Sequence, residues 1–462
     1  MNMAWAETKP GIHQRPLGDN ENFIKLIGDR AHALGREHWS VTSKATFELT
    51  KPVGQSELTR LCYIAWIALR FKHPSIASTA DDETLTYVVP DQDSLRAWAN
   101  ETFISHTADV STDDLIATLT PSRYATAHLV TAESAILLHL PHWRTDGYGA
   151  LHLLNEYLNQ LAYTITGRTP LIDKLQWASE TSRLVPSLEE ALKLPAKATP
   201  EVEQSAKEYL STAALLQNAV GVEVPIVIEP KTLPRGTRSA RLRLTEAETQ
   251  ALLQACKAKE ISLEASVHAT CGAVTYTGAA AAARDRPYTS TMRFSLRPHL
   301  PRPYNGPQGA AGLYTAGYMI QVPSSQSWSE NAKQYSAEYT SGVTPDFLTC
   351  RREYGKKALE MLRQTSPPPP PLSSEIDISS VGDAETLVFA SHTGGDSRFV
   401  LEVRDVSMGV ETLSRQMYCF LWIFHGQLEF NLVYNEAFHS ADGASELVRR
   451  MRRILIIELG CG

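Results

Sequence analysis

His142 and Asp146 lie four residues apart in the stretch Ser134–Tyr148, SAILLHLPHWRTDGY, and Gly147 follows the carboxylate directly. An unperturbed imidazole titrates at about pH 6.5, so a neutral histidine facing a cleft can take a proton from a hydroxyl or an amine at neutral pH. Gly147 would supply a backbone conformation that other residues resist. The same residues also have a plainer reading. His142 could be a hydrogen-bonded histidine at a loop entrance, and Asp146 a cap for the next helix or a partner of its own turn. Short His/Asp patterns recur by chance, so spacing alone favours the plainer reading.

Either role requires the histidine to be held at the end of a rigid element. Ala135–Leu140 has the composition and length of a buried strand, and Pro141 removes a backbone donor where such a strand should stop. After the turn, Ala150, Leu151, Leu154, Tyr157, Leu158 and Leu161 recur at the spacing of one helical face. The chain therefore reads strand, histidine, tight turn, helix.

The flanking sequence continues this alternation. A helical stripe over Glu21–Trp39, with Phe23, Ile24, Ile27, Ala31 and Leu34, precedes a strand ending at Leu49. Ser56–Phe71 reads as an internal helix, Thr84–Val89 as a strand, and Asp91–Thr102 as a helix capped by its aspartate. Residues 186–225 turn charged and proline-containing. The expected organisation is a first domain over 1–190, a crossover over 191–225 and a second domain over 226–462, with an α/β pattern throughout.

The second half opens with an alternating Thr237–Leu244 and a helix entered through a Thr245/Glu248 capping box. An Ala-rich buried helix starts at Ser262. Tyr288–Pro303 reads as a strand running into a proline-rich turn, Gly309–Val322 as a turn into a strand, and Ser329–Ser341 and Asp346–Arg363 as helices. Pro367–Pro371 is necessarily extended and reads as a stiff surface loop. Glu375–Gly382 reads as a strand ending in a small-residue turn, Tyr418–Asn435 as a hairpin turning at His425-Gly426-Gln427, and Asp442–Glu458 as a last helix.

Composition narrows the function classes. With 43% hydrophobic and 21% charged residues in 462, the chain can build large cores. A net charge of −7 and a single short basic run, Arg449–Arg453, argue against nucleic acid as a partner. The six cysteines form no CxxC pair, so buried thiols in a reducing compartment are expected, with no metal site. No stretch reads as a signal peptide or membrane span, which points to a cytoplasmic protein.

His142-xxx-Asp146-Gly147 after an apolar strand resembles the HxxxDG motif of a large acyltransferase superfamily. Its members include chloramphenicol acetyltransferase, the plant BAHD acyltransferases, peptide-synthetase condensation domains and fungal trichothecene-type O-acetyltransferases. Two further stretches match in order. Tyr288–Pro303, YTSTMRFSLRPHLPRP, is similar to a strand followed by LRxxLPxP, and the resemblance implies that Arg297 forms a salt bridge to Asp146. A guanidinium can hold a carboxylate by two parallel hydrogen bonds, which would make Asp146 a loop-holding residue. The closing hairpin and helix, with Tyr434 and Asn435 at its exit, resemble the fungal branch. Where plant members carry DFGWG, this chain has Ser379-Ser380-Val381-Gly382, which departs from the plant motif and is closer to the fungal SSxG.

The resemblance implies two chloramphenicol-acetyltransferase-like α/β domains with mixed sheets facing across a central tunnel. It also implies direct acyl transfer from acyl-CoA, as a co-substrate and not a bound cofactor, to the hydroxyl, or alternatively an amine, of a small-molecule secondary metabolite, by a monomer. His142 would be the general base and no acyl-enzyme would form. A backbone amide near Gly147 or a hydroxyl of the Ser379-Ser380 turn would stabilise the oxyanion. Two alternatives stay open: a stand-alone condensation-type enzyme fed by a carrier-protein thioester, or a non-transferring cyclase or binding protein on the same fold. Pro141, where condensation domains commonly carry a second histidine, favours the first reading. No GxSxG elbow supports a serine hydrolase.

Overall fold

The computed structural model describes residues 4–106, 109–169, 172–223, 232–364, 374–396 and 398–461. Pro367–Pro371 lies outside the described residues. The chain divides into two compact units, the first made of Met1–Pro195, Ser295–Tyr314 and Glu385–Glu411 and the second of Ala196–Phe294, Thr315–Ala384 and Thr412–Gly462. Two segments of the expected second domain thus belong to the first unit.

In the first unit a six-stranded mixed sheet runs in the order Ser391–His392, Leu401–Val410, Val41–Leu49, Ala135–Leu140, Thr126–Val130, Phe103–His106. Ala135–Leu140 is inside this sheet and pairs antiparallel on both sides, from Val41↔Leu140 to Thr46↔Ala135 on one and from Thr126↔His139 to Val130↔Ala135 on the other. All six of its residues are buried, as its apolar composition requires. The sheet's one parallel pair joins Phe103–His106 to Thr126–Val130. Leu401–Val410 was not foreseen as part of this domain. It pairs antiparallel along the whole of Val41–Leu49, which explains why Glu385–Glu411 joins this unit.

Helix Gly147–Ile165 follows the motif and packs on Val41–Leu49 and on helix Gln55–Lys72. The whole periodic stripe from Ala150 to Leu161 is buried, each fully buried leucine stabilising by about 2 kcal/mol. The Tyr157 hydroxyl donates to the Cys62 carbonyl at 3.1 Å, and Trp66 stacks on Trp98 with centroids 5.4 Å apart. A second, antiparallel sheet in this unit orders Ala6–Lys9, Ile12–Pro16, Thr84–Val88 and Thr79–Asp81. The stripe expected over Glu21–Trp39 is shorter than its periodicity suggested. The helix stops at Asp29, a 3-10 turn takes His32–Leu34, and Gly35 at φ 68° ends it, leaving Leu34 exposed.

The second unit holds a four-stranded mixed sheet ordered Ile376–Asp383, Met417–Phe424, Gln427–Asn435, Thr237–Arg243, its first pair parallel and the others antiparallel. Helices Leu263–Gly278 and Ala441–Leu459 pack together in this unit, and Tyr288–Ser295 is hydrogen-bonded to Thr315–Val322. The Thr245/Glu248 capping box forms as its spacing predicted. Ser379–Gly382 is not a terminating turn. It lies inside Ile376–Asp383, where a bulge between Ser380 and Gly382 places Gly382 at φ 67° and lets pairing with Met417–Phe424 continue. Cys62, Cys256, Cys271, Cys350 and Cys419 are buried free thiols. Among the described residues no helix is long and apolar enough to cross a membrane, and no cluster of His, Cys, Asp or Glu is placed to hold a metal.

Burial pushes the imidazoles of His73, His128 and His268 down to about 3 and those of His139 and His392 to about 4. The folded chain therefore refuses protons that the unfolded chain accepts below its ordinary value of about 6.5. The stability these histidines contribute is complete above that pH and declines as pH falls towards the folded values, by up to ~1.4 kcal/mol per pH unit for each, which outweighs the opposite contribution of the Glu411 carboxyl, raised by burial to about 7. The melting temperature should be lower at pH 5.0 than at pH 7.5 by about 10 °C or more. A midpoint that does not move over this interval in scanning calorimetry would mean that the folded state takes up these protons.

Candidate active site

Pro141 ends the central strand, and His142–Arg144 form a single 3-10 turn before Asp146 caps helix Gly147–Ile165. Each residue between the histidine and the helix is anchored within the first unit. Trp143 packs with Leu17 and Leu85. Arg144 is buried, and among the described residues it has no carboxylate partner. Its Nη1 donates to the Ser75 carbonyl at 2.5 Å and to Ser78 Oγ at 2.9 Å, and its Nη2 to the Ser78 and Arg123 carbonyls at 2.9 and 3.0 Å. Burial lowers this guanidinium to about 10, which leaves it charged at neutral pH. Thr145 Oγ1 donates to the Ala310 carbonyl at 2.7 Å.

The Asp146 carboxylate collects donors from three parts of the unit. Arg297 Nη1 reaches Oδ1 at 2.7 Å and Oδ2 at 2.5 Å, the Tyr314 amide donates to Oδ2 at 2.8 Å, and the Gly149 amide donates to Oδ1 at 2.9 Å. Helix cap and ion-pair partner, which the sequence offered as alternatives, are both present in one side chain. The ion pair departs from two parallel bonds, because Arg297 Nη2 is turned to the Gly309 and Gly312 carbonyls at 3.3 and 3.2 Å. The guanidinium also lies over the Tyr314 ring, 5.3 Å from its centroid. Arg297 and Asp146 are both almost wholly buried.

Gly147 is the first residue of the helix, in helical backbone, so its own conformation does not explain the glycine. A close approach occurs two residues later, at Gly149. A Cβ on Gly149 would strike the Ala310 carbonyl, Thr145 Oγ1 and Arg297 Nη2. Gly149, Arg144, Thr145 and Tyr314 escaped the sequence reading. The GYG of Gly147-Tyr148-Gly149 was the one local signal that could have flagged the first of them.

With its neighbours anchored inward, the half-buried His142 side chain is the partly exposed member of the turn. Its Nδ1 lies 2.9 Å from the Thr145 carbonyl oxygen. A carbonyl can only accept, so Nδ1 carries the hydrogen and, in the neutral ring, Nε2 carries the lone pair. His142, Asp146, Gly147 and Arg297 thus come together in the first unit. Ser379, Ser380 and Gly382 belong to the second. The Ser380 hydroxyl donates to Glu264 Oε1 at 3.4 Å and accepts from the Gly382 amide at 3.1 Å, so its hydrogen is already committed.

No family model matches the sequence. Acetyltransferase pigO of Monascus ruber, however, is 48% identical over 462 residues, covering 99% of this chain and 98% of pigO. The chain belongs to the pigO acetyltransferase family. O-acetyltransferase pigM of the same fungus is 27% identical over 99% of this chain and 87% of its own length. The trichothecene 15-O-acetyltransferase TRI3 of Fusarium sporotrichioides has the same fold, with a TM-score of 0.80 at 17% identity over 98% of this chain and 97% of TRI3. This pigO-family chain is accordingly an acyltransferase with the mixed α/β fold of the CoA-acyltransferase and condensation-domain-like superfamily.

In this pigO-family acetyltransferase, Asp146→Asn replaces two acceptor oxygens with one and turns an NH2 towards donors. It leaves Arg297 buried and uncompensated, which should cost about 3–5 kcal/mol in urea unfolding. Gly149→Ala should cost about 1–3 kcal/mol, because its Cβ displaces groups that hold the same carboxylate. Wild-type unfolding midpoints in both variants would remove the loop-holding role.

Proposed function

We propose that the chain transfers an acetyl group from acetyl-CoA to a hydroxyl of a small fungal secondary metabolite, with His142 as general base. The observation that carries this reading is the bond between Nδ1 and the Thr145 carbonyl, which presents Nε2 as the basic nitrogen of a half-buried ring. The alcohol O–H gives its proton to Nε2 as its oxygen attacks the thioester carbonyl carbon. A C–O bond forms, the C–S bond breaks as the tetrahedral intermediate collapses, and the proton passes from His142 to the departing CoA thiolate. No residue is acylated, and holding both substrates at attacking distance supplies much of the acceleration.

Asp146 sits outside this proton path. Its oxygens already accept from Arg297, Tyr314 and Gly149, so its part is to fix the turn that aims the imidazole. The acetyltransferase names of pigO and pigM support the acyl group, and the O-acetyltransferase name of pigM supports a hydroxyl acceptor.

The purified protein, given acetyl-CoA and a panel of hydroxylated fungal metabolites, should release CoA thiol and yield an acetylated alcohol by mass spectrometry. His142→Ala should lower kcat by about 10²–10⁴-fold with an unchanged melting temperature. Turnover with an acetyl-loaded carrier protein but with no CoA thioester would reassign the donor. An Ala variant transferring at the wild-type rate would end the general-base assignment.

A further inference from the structure

We propose that His152 sets acceptor specificity, one of its ring nitrogens hydrogen-bonding a second oxygen of the alcohol, apart from the hydroxyl that is acetylated. The inference rests on the proposed acetyl transfer at His142 and names what else the acceptor must carry.

Helix geometry places the residue. His152 lies six residues beyond the cap Asp146, about 9 Å along the axis of helix Gly147–Ile165 from the turn in which His142 bonds to Thr145. The Cα–Cβ bonds of a helix lean towards its N-terminus, so the imidazole is carried back towards that turn. From Gly149 to Leu161 every residue is buried except His152, Asn155, Glu156 and Asn159. At 3.6 residues per turn these four fall with Tyr148 on one stripe. All five are half-buried, where a helix face turned to open water would be exposed.

Two segments of the first unit are anchored beside this stripe. Thr145 Oγ1 donates to the Ala310 carbonyl at 2.7 Å, and a Cβ on Gly149 would strike the same carbonyl. Further along, the Phe389 amide donates to Asn155 Oδ1 at 2.9 Å, and Thr166 Oγ1 donates to the Gly394 carbonyl at 2.9 Å. Gly149 and Asn155 are three residues to either side of His152, which puts them before and after it along the axis and to its two sides around the helix. The imidazole stands between the two anchored segments.

Its polar atoms are unused. Among the described residues neither ring nitrogen of His152 makes a hydrogen bond, and neither is sealed from solvent as Nε2 of His139 is. Its neighbours on the stripe are spent within the chain, Asn155 on Phe389 and Glu156 Oε1 on Gln160 Nε2 at 2.7 Å. A half-buried polar group without a protein partner has given up part of its hydration, and a ligand oxygen can restore the lost hydrogen bond. Burial first, and Arg297 second, push His152 down to about 4, against an opposing pull from Asp146. At neutral pH the ring is therefore uncharged and offers one N–H and one lone pair, which serve a carbonyl or a hydroxyl oxygen. The stripe has no cation and its one charged residue is Glu156, which suits an uncharged alcohol and not the phosphates of acetyl-CoA.

The test uses full-length wild type, His152→Leu, His152→Phe, His152→Gln and His142→Ala with acetyl-CoA, the alcohol acetylated fastest in the metabolite panel, and analogues of that alcohol that each lack one of its other oxygens. Wild type should lose about tenfold or more in kcat/KM on one of these analogues. His152→Leu should show the same loss on the intact alcohol, carried mainly by KM, and no further loss on the sensitive analogue. Its KM for acetyl-CoA and its rate of acetyl-CoA hydrolysis should stay within about threefold of wild type. His152→Gln keeps a donor and an acceptor and should recover most of the loss. His152→Phe keeps a flat ring without nitrogen and answers for the leucine variant if that one does not fold. The inference is overturned by a leucine or phenylalanine variant with wild-type kcat/KM on the alcohol, by variants that discriminate among the analogues as wild type does, or by a loss confined to the KM for acetyl-CoA, which would put His152 on the donor's side. An inactive His142→Ala beside a fully active His152→Leu sinks this inference alone. An active His142→Ala sinks the base assignment alone, and a wild type that acetylates no alcohol sinks both.

Discussion

The ion pair between Asp146 and Arg297 is the constraint on which the candidate site is built. A carboxylate taken out of water is costly unless nearly all of its acceptor capacity is used, and Asp146 uses it on Arg297, the Tyr314 amide and the amide of Gly149. These donors come from segments 151 and 168 residues away in sequence as well as from the adjoining helix. Satisfying one side chain therefore fixes three pieces of the first unit at once. Arg297 extends the connection by donating to the Gly309 and Gly312 carbonyls. The pair is less a source of net stability than a geometrical specification, because removing either member leaves a buried charge with nothing to replace its partner.

From this clamp the placement of His142 follows by elimination along five residues. Asp146 faces Arg297, Thr145 bonds to Ala310, Arg144 is held by Ser75, Ser78 and Arg123, and Trp143 enters an apolar cluster. Four consecutive side chains are turned inward by different forces. The turn has little freedom left with which to misplace the fifth, His142. A base gains rate from being held at attacking distance, so under the role proposed for His142 rigidity in the turn would act on the reaction.

What was legible in the sequence is what depends on near neighbours. Ala135–Leu140, the stripe from Ala150 to Leu161, the Thr245/Glu248 cap and the hairpin at His425-Gly426 each arise from periodicity or turn chemistry within a few residues, and each appears close to its expected bounds. The Leu401–Val410 strand joins Val41–Leu49 across more than 350 residues, and no local pattern says which sheet it enters. Arg144 was opaque for a related reason. Three of its four acceptors are backbone carbonyls, which every residue possesses, so its role leaves little mark on the sequence of those partners. At Gly147 the backbone is helical and the conformational requirement read from the motif is not seen, whereas Gly149 carries a steric requirement set by Ala310, Thr145 and Arg297, two of them distant in sequence.

The plainer reading of His142 and Asp146 turns out to describe part of the same object. Asp146 does cap the helix, and His142 does bond to its own turn. Neither fact opposes a chemical role, because a cap uses one carboxylate oxygen and leaves the other for Tyr314 and Arg297, while the bond to Thr145 occupies Nδ1 and leaves Nε2 basic. A structural bond at one ring nitrogen and a chemical role at the other are therefore compatible in a single histidine. His128 shows the contrast within the same sheet. It is buried, its two ring nitrogens lie against His106 and Thr126, and burial pushes it down to about 3. A histidine so enclosed has no nitrogen left to offer, whereas at His142 the bond to Thr145 uses Nδ1 for position and Nε2 is the nitrogen to which the proposed base role falls.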